Sequence, residues 1–195
     1  KLPFTEEKLY EQLFDLNNKV EINVDMSDYE LQKMQQDYER YRNMGSRSPI
    51  YRMTTLTIKI TTPYSTYTYR IPEVGVRMKG NTSRTDFYDK NQGGIYKYIH
   101  LKLDFQETFE DESYYGKDAK VWDNKDARKA RKNRTFATLE KLELRWNKCY
   151  DSTYLKEIYA YELFRANGVM APMASMASLD WAGVHMGIYT VVEPV

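Results

Sequence analysis

Two stretches of alternating apolar and polar residues near the middle of the chain constrain its fold more than any other feature. Residues 74–81 and 98–105 both alternate in this way. Their polar positions carry Arg77, Lys79 and Asn81 in the first stretch and His100, Lys102 and Asp104 in the second. Because successive side chains of a strand point to opposite faces, the two stretches predict strands of one antiparallel sheet with a polar, cation-rich face. On pattern alone, a sheet that is simply solvated on one side fits as well as a functional site.

The size and charge of the chain limit the classes of protein that it can be. Its 195 residues are enough for one domain with a hydrophobic core, and its net charge of +1 argues against a dedicated nucleic-acid binder. Cys149 is the only cysteine, so no internal disulfide can form. No apolar run approaches the roughly 20 residues of a membrane-spanning helix, and we therefore expect no membrane span. The chain opens on Lys1 rather than Met, which suggests a processed or shortened product.

Helices and a hairpin are predicted ahead of the two central stretches. Thr5 and Ser27 are candidate N-caps of two helices, with an alternating strand between these helices. The stretches that predict strands are residues 20–24, 50–62 and 64–71. We assign these elements to an N-terminal region, residues 1–72, and the rest of the chain, residues 73–195, to a main lobe.

Two polar stretches lack a helical or strand period and are predicted to be irregular. Residues 83–94, which end in two glycines, predict a mobile loop between the central strands. Residues 106–134 hold the densest charge in the chain, and we expect a mobile, solvated loop because positive and negative residues are interleaved. Binding of a phosphorylated or anionic partner to these cations is the alternative.

The last third of the chain predicts a strand, a helix and a hairpin. The strand covers residues 139–144, and Asp151 caps a helix over residues 152–166. Apolar residues surround this helix almost completely, so we expect it to be substantially buried. Its glutamates, Glu157 and Glu162, then need partners, which the cations of the central strands could supply. The closing hairpin is predicted at residues 174–181 and 186–192.

Several motifs in the second half of the chain share their order and spacing with one known family. The first pair is Arg77-Met78-Lys79-Gly80-Asn81-Thr82-Ser83 and Leu101-Lys102-Leu103-Asp104. The helix and last strand add Asp151-Ser152-Thr153-Tyr154-Leu155-Lys156-Glu157, Ala160-Tyr161-Glu162-Leu163-Phe164-Arg165 and Met186-Gly187-Ile188-Tyr189-Thr190-Val191-Val192-Glu193. Together they resemble the N-terminal half of the CotH family, named for a spore coat protein and known for an atypical protein kinase activity. The resemblance covers residues 75–195.

The resemblance implies an α+β fold, a twisted antiparallel sheet with a packed helix, like the small lobe of a protein kinase. It implies that Lys102 grips the phosphates of ATP and that Glu157 of the helix holds this lysine in place. The implied cleft-lining residues are Arg77, Lys79, Asn81 and Ser83. Lys79 and Lys97 remain alternatives for the phosphate-gripping lysine. ATP with Mg²⁺ or Mn²⁺ would serve the complete protein, which would phosphorylate serine or threonine of a protein substrate.

The same resemblance limits what this chain is expected to do alone. The acidic motifs with which the family binds metal and moves protons would follow Val195, so we expect no catalytic or metal-binding residues here and no C-terminal lobe. The isolated chain should bind nucleotide weakly and show no measurable phosphotransfer. By resemblance we expect a bacterial protein that is secreted, exposed at the cell surface or associated with spores.

Two other classes of function fit parts of the sequence. A non-catalytic, β-rich spore-coat or cell-surface adhesion module would keep the fold without using its cations. A nucleic-acid-binding module would use the cations of residues 117–134, but the net charge of +1 argues against it. Metal-binding aspartates after Val195 would favour the kinase over the structural module.

Overall fold

The central feature of the fold is a closed β-sheet, to which the helices are attached. The computed structural model describes residues 4–147 and 151–194. The helices are α1 (Glu6–Phe14), α2 (Asp28–Asn43), α3 (Glu112–Tyr115), α4 (Lys125–Lys132) and α5 (Lys156–Ala166). The strands are β1 (Lys19–Asp25), β2 (Arg52–Thr61), β3 (Thr66–Lys79), β4 (Tyr88–Asp89), β5 (Gly94–Ile95), β6 (His100–Asp104), β7 (Lys141–Arg145), β8 (Ala174–Trp181) and β9 (Val184–Val192). Short 3₁₀ helices occupy Lys90–Gln92 and Gly116–Asp118.

The main sheet closes on itself in the order β1-β2-β3-β6-β7-β9-β8, while β4 and β5 form a separate pair. Neighbouring strands are antiparallel except β1 and β8, which run parallel with Glu21 opposite Ser178 and Val24 opposite Trp181. The predicted α+β fold with an antiparallel sheet and a packed helix is confirmed. The closure by β1 joins the start of the chain to its last hairpin.

The interior of the sheet is filled by the apolar rows of its strands. Val74, Val76 and Met78 of β3 are buried there beside Leu101 and Leu103 of β6, which confirms the predicted alternation. The other strands contribute Val20, Ile22, Val24, Leu56, Ile58, Ile60, Leu142, Leu144, Leu179, Trp181, Tyr189 and Val191. Each such side chain stabilises the fold by about 1.5–3 kcal/mol relative to an exposed one. The polar residues between them therefore project from the outer face of the sheet.

Helix α5 is less buried than its sequence predicts. Ile158 is its one buried residue and packs on Ala174 and Val192, a pair from the outer face of β8 and β9. Tyr159 is 68% exposed, so the prediction of a substantially buried helix is wrong. Leu155, Leu163 and Phe164 are exposed as well. The reason is one-sided packing, because the helix rests on the sheet and no other described element covers its far side.

The start of α5 is also later than predicted. Residues 152–154 form a turn, and the helix begins at Lys156. The N-cap position is therefore Leu155 and not the predicted Asp151. The Asp151 carboxylate still accepts from the first helical N–H, that of Lys156, at 2.7 Å through one oxygen, and from the backbone N–H of Thr153 at 2.9 Å through the other. With a further hydrogen bond from the Thr153 hydroxyl, these bonds lower the pKa of Asp151 to about 2. Gly168 follows the helix in the left-handed conformation, as predicted.

Residues 106–134 contain two α-helices and a 3₁₀ helix, so the prediction that the whole segment is an irregular loop is wrong. The segment contains α3 and α4, and Asn124 caps α4 by accepting from the backbone N–H groups of Asp126 and Ala127. Its basic side chains are held at long range: Lys120 and Arg131 bind the Glu73 carboxylate of β3. Periodicity missed the segment because charge pairs with a distant strand, not an apolar stripe, hold it in place.

Residues 83–94, predicted to be a mobile loop, contain β4 and a 3₁₀ helix and end on the first residue of β5. Phe87 has no exposed surface and stacks on Trp181 with ring centroids 5.2 Å apart. The side-chain oxygen of Gln35 on α2 accepts hydrogen bonds from the backbone N–H groups of Phe87 and Tyr88. The segment is thus anchored to the core and to α2.

Candidate functional site

Two adjoining cavities lie on the outer face of the sheet and contain every residue of the predicted cleft. The first cavity, of about 350 Å³, is lined by Arg77, Lys79, Asn81 and Lys102 together with α2 and residues 47–50. The second, of about 460 Å³, is lined by Lys79, Ser83 and Glu157 among others. Lys79 and Gly80 line both cavities, so the two form one cleft.

Strand register brings the charged residues of the cleft together. Across the antiparallel strands β3, β6 and β7, Arg77 lies opposite Lys102, and Lys102 lies opposite Glu143. Directly opposed side chains on one face have Cβ atoms about 5 Å apart, so the two cations repel each other unless a negative group is near. Glu143 supplies that group from the neighbouring strand.

The carboxylate of Glu143 is the centre of the charge network. It is 3% exposed, and both Lys79 and Arg145 donate hydrogen bonds to it. Burial by itself would raise the pKa of Glu143, but the hydrogen bonds from Lys79 and Arg145 and their positive charges lower it below its usual value. The carboxylate therefore stays ionised and holds these cations at the base of the cleft.

Lys102 is the less neutralised of the two lysines beside Glu143. Its ammonium nitrogen is 3.7 Å from a Glu143 oxygen, too far for a good hydrogen bond. Burial lowers the pKa of Lys102, and the positive charges of Arg77, Lys141 and Lys79 lower it further, against the attraction of Glu143. Such a lysine gains more from an added anion than Lys79, which is already hydrogen-bonded to Glu143.

Glu157 takes part in the same network through an arginine. Arg145 binds the Glu157 carboxylate, which also accepts hydrogen bonds from Asn147 at 2.6 Å and from the Tyr161 hydroxyl at 2.8 Å. Within the described residues, Lys102 and Glu157 form no direct ion pair. Instead, a series of ion pairs, here called the relay, links Lys102 to Glu143, Glu143 to Arg145 and Arg145 to Glu157, and so connects β6 to α5. Glu162, the other helix glutamate, pairs with Arg165 on the helix surface.

The remaining predicted residues lie at the bend where β3 ends. Gly80 has φ of +123°, and a Cβ there would collide with the Ser83 hydroxyl, so only glycine allows this tight turn. The Asn81 side-chain oxygen accepts a hydrogen bond from Arg47 at 3.0 Å. Lys97, an alternative phosphate-gripping lysine, lines neither of the two cavities and donates to the Thr85 hydroxyl.

His100 borders the second cavity as a neutral side chain. Its Nδ1 accepts a hydrogen bond from the backbone N–H of Trp146 at 2.9 Å, which requires that nitrogen to be unprotonated. Burial lowers the pKa of His100, and the nearby charges of Arg145 and Lys79 lower it further. The imidazole is therefore neutral near pH 7 and adds no charge to the cleft.

An aromatic cavity of about 360 Å³ continues the cleft beyond His100. It shares Ser83 and His100 with the second cavity. Tyr98 and Trp146 stack there with ring centroids 4.6 Å apart and an interplanar angle of 10°. Tyr98 is 44% exposed, so a further planar group has access to the stack.

Three residues of the site, Glu143, Arg145 and Arg47, are not among those predicted from the sequence. Glu143 and Arg145 alternate with Leu142 and Leu144 in β7, and the same reasoning that found Lys102 could have placed them on the polar face. Arg47 lies outside any periodic element and gives no local signal. Its position depends on the way the chain leaves α2.

The fold and the cleft define a class of protein: an α+β domain with a cation-lined cleft on the outer face of its sheet, suited to a phosphorylated ligand. The family described as CotH kinase protein matches residues 76–195, and the chain belongs to this family. Family membership gives it a kinase-like or spore-coat function in general terms. Among curated proteins, none matches the chain. In the described part of the chain, no helix has the length and apolar character needed to cross a membrane.

Proposed function

We propose that the chain binds ATP in this cleft and forms the nucleotide-binding portion of an atypical protein kinase of the CotH type. The complete protein would transfer the γ-phosphate to serine or threonine of a protein substrate at a spore or cell surface. The observation that carries the proposal is the convergence of Arg77, Lys79 and Lys102 on one cavity, with Lys102 incompletely neutralised.

The phosphates of the nucleotide would occupy the cationic part of the cleft. Lys102 would bind them most strongly, because an anion offsets the burial and the repulsion from Arg77 and Lys79 that lower its pKa. Arg77 and Lys79 would add charge-assisted hydrogen bonds, and the Asn81 and Ser83 side chains would add neutral ones. Gly80 keeps the backbone of the bend open beside them.

The base of the nucleotide would stack in the aromatic cavity. Tyr98 and Trp146 offer a planar apolar surface, and stacking of a base on an aromatic side chain is worth about 1–3 kcal/mol. The cavity adjoins the cationic cleft at Ser83 and His100, so base and phosphates of one molecule could use both. This division of the cleft matches the two chemical parts of a nucleotide.

The relay through Glu143 and Arg145 would position the phosphate-binding lysine. In protein kinases a helix glutamate pairs directly with the strand lysine. Here Glu157 of α5 binds Arg145, and Glu143 stands between Arg145 and the two lysines. The proposal therefore assigns Glu157 an indirect role, in which it orients the arginine that orients Glu143.

Phosphoryl transfer also needs a divalent metal that neutralises the phosphates. Among the described residues, no three histidine, cysteine, aspartate or glutamate side chains approach each other closely enough to hold a metal ion. The carboxylates nearest the lysines, Glu143 and Glu157, are already bound by cationic and neutral donors. These two carboxylates do not fit a metal site, so we assign the cleft phosphate binding by its cations and no step that involves a metal.

Replacement of the central lysine tests the proposal. We expect Lys102→Met to weaken ATP binding by about tenfold or more, measured by isothermal titration calorimetry, because about 1.4 kcal/mol corresponds to a factor of ten. Lys59→Met is the matched control: Lys59 is also on an outer strand face, but pairs with Glu21 away from the cleft. It should bind ATP as the unchanged protein does.

The opposite results would favour the structural alternative. If the unchanged chain fails to bind ATP, or if Lys102→Met and Lys59→Met have the same effect, the nucleotide proposal is wrong. The non-catalytic coat or surface module would then be the better description of this family member. Thermal unfolding of each variant should be recorded alongside, so that loss of folding is not mistaken for loss of binding.

A further inference from the structure

Three arginines around the first cavity have no carboxylate partner in the described part of the chain. Arg47, Arg77 and Arg84 all line this cavity, and each donates hydrogen bonds only to neutral oxygens. The one carboxylate lining the cavity, Asp37, is held by Arg52 through two hydrogen bonds of 2.7 and 2.9 Å. The cavity thus carries more uncompensated positive charge than a single phosphate group would neutralise.

Arg47 reaches the cavity from a segment outside the family-matched region. The chain leaves α2 through Gly45, with φ of +67°, and the backbone N–H of Ser46 bonds the Tyr41 carbonyl in a Schellman-type C-cap. After this cap, Arg47, Ser48 and Ile50 line the cavity. Ile50, which is 2% exposed, anchors the far end of the segment.

The residues on both sides of Arg47 are held by the other two arginines. Arg84 donates to the Ser46 carbonyl at 2.9 Å, and Arg77 donates to the Ser48 carbonyl at 3.2 Å. Arg47 itself is exposed, and its only described hydrogen bond goes to the neutral Asn81 side chain. Its backbone is therefore fixed while its guanidinium keeps its full charge and most of its donors.

We propose that Arg47 is a specificity-determining residue, which binds the outermost phosphate of a triphosphate and makes the cavity favour triphosphates over monophosphates. The inference rests on the proposed function for the presence of a phosphorylated ligand. Arg77, Lys79 and Lys102 lie on β3 and β6, and all three bind phosphates of any nucleotide in the cavity. Arg47 comes instead from the segment after α2 and lies beside Asn81, at the end of β3, so we assign it contact with a ligand long enough to extend past the strand cations.

Comparison of ligands with different phosphate numbers tests this role. We expect Arg47→Gln to weaken binding of ATP and of inorganic triphosphate by about five- to tenfold and of AMP by less than about twofold, because a charge-assisted hydrogen bond is lost only with the longer ligands. Binding would be measured by titration calorimetry on the full 195-residue chain. Arg70→Gln, an exposed arginine of β3 that lines no described part of the cavity, is the control for lost net charge.

The outcomes separate this inference from the proposed function. If Arg47→Gln affects ATP and AMP equally, or matches Arg70→Gln, while Lys102→Met still weakens ATP binding, the inference is wrong and the nucleotide proposal stands. If inorganic triphosphate binds and depends on Arg47 but ATP shows no binding, the inference is supported and the nucleotide proposal is wrong. If neither ligand binds to the unchanged chain, both are overturned. Equal thermal unfolding of the variants excludes a folding defect.

Discussion

At the scale of single residues, Glu143 decides how the charges of the cleft are arranged. Three cationic side chains, Lys79, Lys102 and Arg145, form ion pairs with its buried carboxylate. A buried charge is energetically costly without an opposite charge beside it. If the carboxylate is removed, the three cations are left close together without compensation, which is also costly. Glu143 thus lets several cations coexist in a small space in the absence of ligand.

We expect Glu143→Gln to lower the free energy of unfolding by about 3 kcal/mol, because removing one member of a buried ion pair leaves the others uncompensated. The pKa of Lys102 should also fall further, since the negative charge of Glu143 raises this pKa against the effects of burial and the neighbouring cations. Chemical denaturation measures the first effect, and NMR titration of the lysine ammonium groups measures the second.

The control for this prediction is Glu140→Gln, which removes an exposed carboxylate from the approach to the same strand. It should change stability by less than about 1 kcal/mol and leave the titration of Lys102 unaltered.

Because the pKa of Lys102 lies below its unfolded value, its burial destabilises the fold at neutral pH. That cost is relieved as the pH rises from the folded pKa towards 10.5. A Glu143→Gln variant with an unchanged Lys102 titration would contradict the prediction.

At the scale of elements, the segment around α4 shows how charged residues can fix a structure that has no apolar stripe. Arg134 donates to the backbone carbonyls of Phe105, Pro72 and Glu73 at 2.6 to 2.7 Å. Burial lowers the pKa of Arg134 to about 10, with Arg131 nearby adding to the effect. These contacts tie the end of the segment to β3 at Glu73, whose positive φ of 51° marks an irregularity in that strand.

We expect Arg134→Lys to destabilise the protein by about 2–3 kcal/mol, since a lysine cannot reach three carbonyls with the planar geometry of a guanidinium. Hydrogen exchange should become faster in residues 106–134 in particular. Arg128→Lys is the matched control, because Arg128 makes a partly exposed pair with Glu110 and its replacement should cost less than about 1 kcal/mol. Equal effects of the two substitutions would show that the carbonyl contacts are not what holds the segment.

At the scale of the whole molecule, the region that precedes the family match completes the sheet. The match begins at residue 76, inside β3, yet β1 and β2 belong to the same closed sheet and α2 forms a wall of the first cavity. The parallel pairing of β1 with β8 also covers an edge that the last hairpin would otherwise expose. The division of the chain at residue 72 falls within β3.

We expect a chain that begins at residue 73 to lose cooperative folding, because it lacks β1, β2 and half of β3 and leaves the interior of the sheet open. Poor dispersion in NMR spectra and a broad thermal transition would be the observable signs. A chain that begins at Phe4 keeps every described element and should unfold cooperatively. Well-dispersed spectra from the shorter chain would contradict the prediction and show that the matched region folds alone.

The sequence by itself determined most strands of the main sheet, the first two helices and much of the candidate site. Alternation in β3 and β6 identified the outward row of Arg77, Lys79 and Lys102, because a strand sends successive side chains to opposite faces whatever surrounds it. Capping residues located α1 and α2 for a similar reason, since a cap depends on neighbours within one turn. Family motifs added Asn81, Ser83 and Glu157, and all of them line the cleft.

Only the tertiary structure decided which of these residues meet and what completes them. The closure of β1 on β8 and the contact between Arg47 and Asn81 join residues that are far apart in sequence. The exposure of α5 likewise depends on which distant elements pack against it. Periodic patterns in a sequence reflect neighbours two to four positions away. A charged residue whose partner lies on a distant element produces no such pattern, so the sequence does not reveal the pair. The relay through Glu143 and Arg145 arises in this way, because the register of three strands sets which carboxylate stands beside which lysine.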